Sequence, residues 1–359
     1  MKFKAQRKAL RCRPWEQSFT VICHSKLMFI RKTALLIAVG LLFGGSHGAS
    51  SQQTGNQPPP LIASPVQATG EVQTTPPNPE RWDDLSLRGK PLHSDPVVVG
   101  QIDTLPGFTR ELLRVQWRDG DPIDLYVVRP ARVTKPPVVV YLYGYPGEAV
   151  RFLNDDFCKT VTQGGFAAVS FSSRLTGQRY HDVPMKDWFV SELPRSLVGT
   201  THDVQMVLNY LAQRGDFDLG RAGIFGEGSG GTIALLAASV DPRLKAVDIL
   251  DPWGDWPSWL AASRLVPDGE RAGYLEPLFL KSVASFDPVA VLPTLDRTPL
   301  RLQQTLWDDS KTPAVSRRRI ASALPSQADL ENYANRQEYI DKVGKNGKML
   351  DWMHSHLTP

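Results

Sequence analysis

A glycine-rich stretch, Gly226-Glu-Gly-Ser-Gly-Gly231, constrains the fold of this chain more than any other feature. It follows the apolar run Ala222–Phe225, a predicted strand, and precedes Thr232–Ser239, a predicted helix. Glycines permit a sharp strand-to-helix turn because they lack the Cβ atom that restricts the backbone dihedral angles. No lysine follows the glycines, which argues against a phosphate-binding loop, and their spacing does not fit a dinucleotide fingerprint.

Strands and helices alternate on both sides of this turn. The pattern predicts strands at 108–117, 123–128, 138–143, 166–171, 222–225, 244–250, 300–307 and 329–334. It predicts helices at 152–162, 203–212, 232–239, 315–324 and 347–356. A turn sequence, Asp119-Gly-Asp-Pro122, separates the first two strands and predicts an antiparallel hairpin there. The alternation predicts an α/β fold with a mostly parallel sheet and helices on both faces.

Residues 252–297 interrupt this alternation and are rich in tryptophan and proline. They are predicted to form a short cap inserted over the carboxyl edge of the sheet, where open α/β sheets bind ligands. Trp253, Trp256 and Trp259 either line a pocket there or pack the cap on the sheet; packing is the favoured interpretation.

Residues 1–48 have the pattern of a secretory signal peptide. Arg31-Lys32 precede an apolar run from Thr33 to Gly45, and small residues flank His47. Met28 would open a signal peptide of ordinary length, so the natural start of the chain is expected there or at Met1. The alternative is an uncleaved membrane anchor, although the apolar run is short for a full span. We expect an exported protein, periplasmic or extracellular.

Residues 49–80 are rich in Pro, Gln, Ser and Thr and predict a disordered tether that cannot build a core. The folded domain is predicted at 81–359. The formal charge of +4 belongs to the leader, which carries nine basic residues and one acidic residue. The remaining 311 residues have a net charge of −4, so we expect no nucleic-acid partner. Membrane contact is expected only through an uncleaved leader.

The spacing Gly226-x-Gly228-x-Gly230, with the helix-type segment before it, resembles the nucleophile elbow of the α/β-hydrolase fold. The resemblance covers about residues 108–359 in element order. It is closest to the prolyl-oligopeptidase-like and dienelactone-hydrolase-like branch. It implies a serine hydrolase that acts on small esters or peptide-type amides, with no cofactor and no metal.

The motif departs from that family at its central position. Gly228 stands where the family has its nucleophile, and Ser229 follows one residue later, where the family uses a backbone N–H as an oxyanion donor. One residue turns a side chain by about 100° around a helix. Either Ser229 is a helix-start residue, which we favour, or a shifted turn presents it as a displaced nucleophile.

The other members of the catalytic triad are only partly matched. Asp308 stands after a predicted strand, where the resemblance implies the triad acid, with Asp309 as its neighbour. The general base is expected after the last strand, near residue 335, where Asn335 stands instead of a histidine. His354, or alternatively His356, is the candidate base, although both belong to the terminal helix. A serine without an imidazole within hydrogen-bond reach stays a poor nucleophile.

The oxyanion site is better matched. Tyr143-Gly144-Tyr145 follows a buried strand and resembles the corresponding turn of prolyl oligopeptidases, which implies that Tyr145 donates to the oxyanion. The alternative is that these aromatic residues only shape the turn.

Two functions from different classes follow. The first is an exported serine hydrolase with an atypical or eroded triad of Ser229, Asp308 and His354, assisted by Tyr145. The second is a catalytically inactive binding or scaffold protein on the same fold. Both predict a small ester or peptide-type molecule as the partner.

Overall fold

The computed structural model describes residues 80–87, 97–118, 120–145, 147–175, 192–307, 312–343 and 348–358. The predicted leader and the tether up to residue 79 lie outside the described residues, so their boundaries stay predictions.

The described residues form one sheet of nine strands in the order β1-β2-β3-β5-β4-β6-β7-β8-β9. The strands are β1 Val98–Leu105, β2 Phe108–Val115, β3 Ile123–Pro130, β4 Pro137–Leu142, β5 Ala167–Phe171, β6 Asp218–Glu227, β7 Leu244–Leu250, β8 Leu300–Thr305 and β9 Asp329–Tyr333. Strands β1 to β3 are antiparallel, and β3 pairs antiparallel with β5. All pairs from β5 to β9 are parallel. The predicted hairpin is β2–β3, and the structure adds β1 at the edge.

Among the described residues, eight α-helices lie between successive strands from β4 to β9, and two follow β9. They are α1 Asp155–Val161, α2 Leu193–Arg214, α3 Ser229–Val240, α4 Trp256–Ala262, α5 Arg271–Tyr274, α6 Pro277–Val283, α7 Pro288–Val291, α8 Ala314–Ser322, α9 Arg336–Lys342 and α10 Lys348–Leu357. A short 3-10 helix, Glu148–Leu153, lies between β4 and α1. Between β7 and β8 the chain forms the four short helices α4 to α7, where the sequence predicts a cap.

The sheet is covered on both faces. In β4, Val138, Val140 and Leu142 belong to one apolar core, whereas Val139 and Tyr141 belong to a second. This alternation follows from the two-residue period of a strand. The first core includes residues of α2, α3 and α8, and the second includes residues of α1 and α10. We call the two sides the α2 face and the α10 face.

No single helix among the described residues is both long and apolar enough to cross a membrane. One bent pair, Pro277–Phe286 and Pro288–Leu295, meets that criterion by length and composition only.

Candidate functional site

The strand-to-helix turn at the carboxyl end of β6 has the sharp geometry that the sequence predicts. Gly228 has dihedral angles of φ 58° and ψ −121°, a region that residues with a Cβ atom rarely adopt. The strained conformation of the turn therefore belongs to Gly228, and Ser229 is already the first residue of α3.

The other glycines of the turn allow close packing. A Cβ atom at Gly230 would overlap the backbone carbonyl of Leu142, at the end of β4. In contrast, a Cβ atom at Gly228 would meet Trp253 Nε1 at 3.4 Å and the Cα of Gly144 at 3.7 Å, which are ordinary contacts. Space for a side chain thus exists at Gly228 but not at Gly230.

Ser229 lies inside the protein. Its side chain is fully buried, and its Oγ accepts a hydrogen bond of 3.0 Å from the backbone N–H of Tyr145. The structure therefore brings together two of the predicted site residues, Ser229 and Tyr145. The contact runs through the Tyr145 backbone, while the Tyr145 ring packs against the core of the α2 face. The Tyr145 backbone N–H, which could otherwise donate to an oxyanion, therefore already donates to the Ser229 hydroxyl.

The indole of Trp253 covers the elbow. Trp253 is 1% exposed, its backbone N–H donates to the Gly228 carbonyl at 3.3 Å, and its own carbonyl accepts from Thr232 Oγ1 at 2.6 Å. An indole N–H only donates and cannot accept a proton. The side-chain nitrogen nearest to the Cβ position of Gly228 therefore cannot serve as a general base.

The predicted base His354 lies far from Ser229. Its ring stacks on Phe166 at 4.0 Å between centroids, and Phe166 directly precedes β5. Ser229 follows the carboxyl end of β6, and β5 and β6 run parallel on either side of β4. The five residues of β5 span about 16 Å, so the structure does not bring His354 and Ser229 together. Burial lowers the pKa of His354, which keeps its imidazole neutral.

The remaining predicted partners are also apart from the elbow or outside the described residues. His356 is exposed on α10, with Nδ1 2.8 Å from the Trp352 carbonyl oxygen. Asn335 is the N-cap of α9, and its Oδ1 accepts the Glu338 backbone N–H at 3.0 Å. Asp308, with Asp309, lies outside the described residues. None of the histidines in the described part of the chain contacts Ser229.

A second group of polar and aromatic side chains flanks the elbow, and the sequence predictions missed it. Glu227, the residue before Gly228, lies 3.4 Å from Arg151, whose guanidinium stacks over the Tyr143 ring at 4.2 Å. Tyr339 of α9 and Trp307, which follows β8, have ring centroids 6.3 Å apart. We call Arg151, Glu227, Trp307 and Tyr339 the rim cluster.

Burial and the charges of Arg151 and Glu227 shift the pKa values of two tyrosines, Tyr143 and Tyr339. Burial raises the pKa of Tyr143 and of Tyr339, and the negative charge of Glu227 adds to both shifts. The opposite charge of Arg151 lowers both pKa values and only partly offsets the rise. Both phenols are therefore neutral at physiological pH. The only signal in the sequence for this cluster was the position of Glu227 inside the glycine motif.

Within the described residues, no group of three or more His, Cys, Asp or Glu side chains could hold a metal ion.

Comparisons with known proteins give a result only at the level of structure. No family model matches the sequence, and no curated protein is similar to it. The structure is similar to an acetyl xylan esterase from Paenibacillus sp. R4, with a TM-score of 0.55 and 19% identity over 77% of this chain and 93% of that chain. It is also similar to an S-formylglutathione hydrolase from Agrobacterium tumefaciens, with a TM-score of 0.56 and 16% identity over 72% and 99% of the two chains.

A third similar structure is acetyl xylan esterase 1 from Thermoanaerobacterium sp. JW/SL YS485, with a TM-score of 0.52 and 16% identity over 72% of this chain and 89% of that chain. At these identities the similarity concerns the fold. The predicted fold class is therefore confirmed: the chain has the α/β-hydrolase fold.

Proposed function

We propose that this protein is an exported binding protein on the α/β-hydrolase fold, which holds a small ester- or carboxylate-bearing molecule at the carboxyl edge of its sheet without hydrolysing it. The fold itself is a weak guide to activity, because many unrelated functions share one fold. The proposal therefore rests on the chemistry of the elbow.

The conformation of Gly228 is the observation that carries the proposal. This residue has the strained dihedral angles of the turn but no side chain, and the hydroxyl of Ser229 is buried against the Tyr145 N–H. Acyl transfer by a serine requires an accessible hydroxyl and an acceptor within hydrogen-bond reach. Trp253 offers a donor at that place instead.

The amino-terminal end of α3 lies at the elbow, because the helix begins at Ser229. The positive partial charge of a helix at this end favours a carbonyl or carboxylate oxygen nearby, which supports a small molecule of that class as the ligand.

A serine hydrolase with Ser229 as a displaced nucleophile is the second candidate. It is supported by the 3.0 Å contact between Ser229 Oγ and the Tyr145 N–H, since a rotation of the serine would free both groups for a substrate. The esterase and hydrolase names of the structural neighbours agree with it only as analogy.

Labelling with a fluorophosphonate probe, together with hydrolysis of nitrophenyl acetate, distinguishes the two functions. We expect no labelling and no turnover above that of the Ser229→Ala variant. Ser282→Ala is the matched control, because it removes an exposed serine hydroxyl on α6, away from the elbow. Stoichiometric labelling that disappears in Ser229→Ala would refute the binding protein and establish the hydrolase.

Export is the part of the proposal that depends on residues 1–48. Expression of the full gene, followed by N-terminal sequencing of the secreted or periplasmic fraction, should give a chain that starts near residue 49. A full-length chain retained in the membrane fraction would establish the uncleaved anchor.

A further inference from the structure

We propose that helix α10 is an acid-released latch, in which protonation of His354 frees the helix from the α10 face of the sheet. Such a latch needs a titratable group at the contact, a contact that tolerates only one protonation state of that group, and a helix whose release leaves the sheet intact. His354 and the packing of α10 provide these three properties. The latch is independent of the function proposed for the elbow.

The His354 imidazole forms a contact between α10 and the turn before β5. Its ring lies parallel to the Phe166 ring, with 4.0 Å between the centroids and 7° between the planes. The backbone of the turn also approaches closely, because a Cβ atom at Gly164 would lie 3.0 Å from both Cε1 and Nδ1 of the imidazole. Gly164 has a φ of 73°, a conformation that glycine adopts without strain. The turn is therefore shaped to receive the ring.

The buried nitrogen of the ring favours the neutral imidazole. Nε2 of His354 is shielded from solvent and has no hydrogen-bond partner among the described residues. A neutral ring can keep its hydrogen on Nδ1, whereas a protonated ring has hydrogens on both nitrogens, so its Nε2–H would lack an acceptor. Burial also disfavours the charged form and lowers the pKa of His354 below the ordinary value of 6.5. The docked helix therefore holds the neutral ring.

The charges on α10 and on the turn do not reverse this preference. Asp351 favours the protonated ring, but burial has the larger effect on the pKa of His354. The other titratable residues of α10, Lys348 and His356, are exposed. Residues 163–166, against which the ring packs, carry no charge. The aromatic ring of that turn attracts a cation weakly, which is a further opposing contribution.

The strands beneath α10 contribute their charges mainly in pairs. The helix packs on β6 and β7. In β7, Asp248 accepts hydrogen bonds of 2.9 and 2.7 Å from Arg301, and in β6, Asp218 lies 2.7 Å from Arg221. The exposed Lys245 of β7 lies on the opposite face from Asp248, because strand side chains alternate. Neither strand therefore presents an unpaired carboxylate that would hold a protonated His354.

The apolar side of α10 covers the strand that leads to the elbow. Leu350, Met353 and Leu357 are buried. Met353 and Leu357 fill the space in which Gly223 of β6 would have a side chain. These contacts are made by side chains, so release of the helix breaks no strand pairing. It would uncover apolar surface on β6, which ends at Glu227, next to the elbow.

Acid shifts the equilibrium toward the released helix. In the released helix His354 is in water and has its ordinary pKa, whereas the docked ring has a lower pKa. The contribution of His354 to docking is therefore complete above the ordinary pKa and is lost as the pH falls through the docked value. Between the two values the population of released helix rises by up to about tenfold for each pH unit.

The test is hydrogen exchange followed by mass spectrometry on the full-length protein, corrected for intrinsic exchange rates. Between about pH 7.5 and about pH 5.5 we expect the opening of residues 348–358 to increase several-fold, up to about tenfold, while α2 keeps its protection. Unchanged protection of residues 348–358 would overturn the proposal. An equal loss of protection in α2 would overturn it as well, because it would show global unfolding by acid.

Variants assign the effect to one histidine. His354→Phe keeps a ring that can stack on Phe166 but cannot be protonated, so α10 should stay equally protected at both pH values. His356→Phe is the matched control, because it makes the same replacement at an exposed histidine of the same helix and should keep the response of the wild type. A response in His354→Phe equal to that of the wild type would refute the latch.

A titration of the wild type by NMR needs no substitution and covers the case in which His354→Phe does not fold. The imidazole signals of His354 should titrate with a midpoint below the ordinary pKa of 6.5. The amide signals of α10 should change with the same midpoint. A midpoint at or above 6.5, or amide signals of α10 that do not follow it, would overturn the proposal.

Discussion

The elbow and the buried polar cluster around Arg118 are held together in opposite ways. At the elbow, small residues let backbone segments approach closely. Around Arg118, ion pairs between charged side chains hold separate segments together. Its guanidinium forms ion pairs with Glu80 and Asp203 and donates to the Gly199 carbonyl at 3.0 Å.

The Arg118 cluster fastens the first described residues to α2. Glu80 also lies 2.6 Å from His202 Nδ1, and the other ring nitrogen of His202 lies 2.7 Å from the Asp84 carbonyl oxygen. Both neighbours of the imidazole, the Glu80 carboxylate and the Asp84 carbonyl, are hydrogen-bond acceptors. Trp82 lies beside this group, 5.6 Å from the Arg118 guanidinium.

The two regions differ in which part of the residues matters. At the elbow the glycines satisfy the backbone geometry, and Gly228 has no side chain at the position where the resemblance predicts a nucleophile. In the Arg118 cluster the charged side chains are buried at a cost in desolvation, and their ion pairs join separate segments of the chain. The predictions below test this difference, beginning with the largest expected effect.

Gly230→Ala should prevent stable folding. The new Cβ atom would overlap the Leu142 carbonyl, and neither backbone segment can move without separating α3 from β4. We expect a loss of more than about 4 kcal/mol in the free energy of unfolding, measured by guanidinium denaturation or seen as loss of soluble protein. Gly273→Ala is the matched control, since nothing lies near its Cβ position. A stable Gly230→Ala protein would contradict the close approach at the elbow.

Arg118→Met should destabilise the protein by about 3–5 kcal/mol, because it removes the guanidinium that balances the charge of the buried carboxylates of Glu80 and Asp203. Urea denaturation measures this difference. The control is Arg114→Met on β2, four residues earlier in the chain, whose pair with Asp124 is more than half exposed, and which should cost less than about 1 kcal/mol. Equal effects of the two substitutions would show that the cluster is not a structural anchor.

Gly228→Ala should cost about 1–3 kcal/mol, well below Gly230→Ala, because space is present and only the strained dihedral angles oppose it. Thermal and urea denaturation of the two variants side by side provide the comparison. Equal losses in the free energy of unfolding for the two variants would show that a Cβ atom at Gly228 is also excluded by close packing.

The smallest expected effect is the pH dependence of the Glu80 contribution. Burial raises the pKa of Glu80, but the hydrogen bonds from His202 and Arg118 outweigh burial, so the net pKa lies below its ordinary value of 4.5. A carboxyl with a lowered pKa stabilises the folded state above its ordinary pKa, and this contribution is lost as the pH falls through the folded value. The stability difference between wild type and Glu80→Gln should therefore be constant from pH 7 to about pH 5 and shrink below it. A difference that grows on acidification would contradict this sign.

The fold was largely predictable because it depends on local patterns. Alternating apolar runs predicted the strands from β2 to β9, and β9 in particular was placed within one residue of its end. Strand β1 was missed because all of its residues are exposed or half exposed and it contains Gly100, where its pairing with β2 is irregular. Helix α2 begins ten residues earlier than predicted, since its first turns are rich in small polar residues.

Of the candidate site, only the backbone turn could be predicted from the sequence. The glycine spacing predicted the turn and the position of Gly228, because dihedral angles and close approach restrict the residue type directly. The rim cluster could not be predicted, since Arg151, Glu227, Trp307 and Tyr339 come from four separate segments. The candidate base His354 was proposed by its position in the sequence, and the packing of α10 on the α10 face puts it at the opposite edge of the sheet from Ser229.

The sequence by itself determined the α/β class, the sharp turn at 226–231 and the missing side chain at position 228, because period, glycine placement and residue identity are local properties. Only the tertiary structure decided that Ser229 Oγ accepts the Tyr145 N–H, that Trp253 covers the elbow and that Glu80 joins Arg118. These contacts join residues 25 to 84 positions apart, and such partners are selected by packing across the sheet rather than by any local pattern.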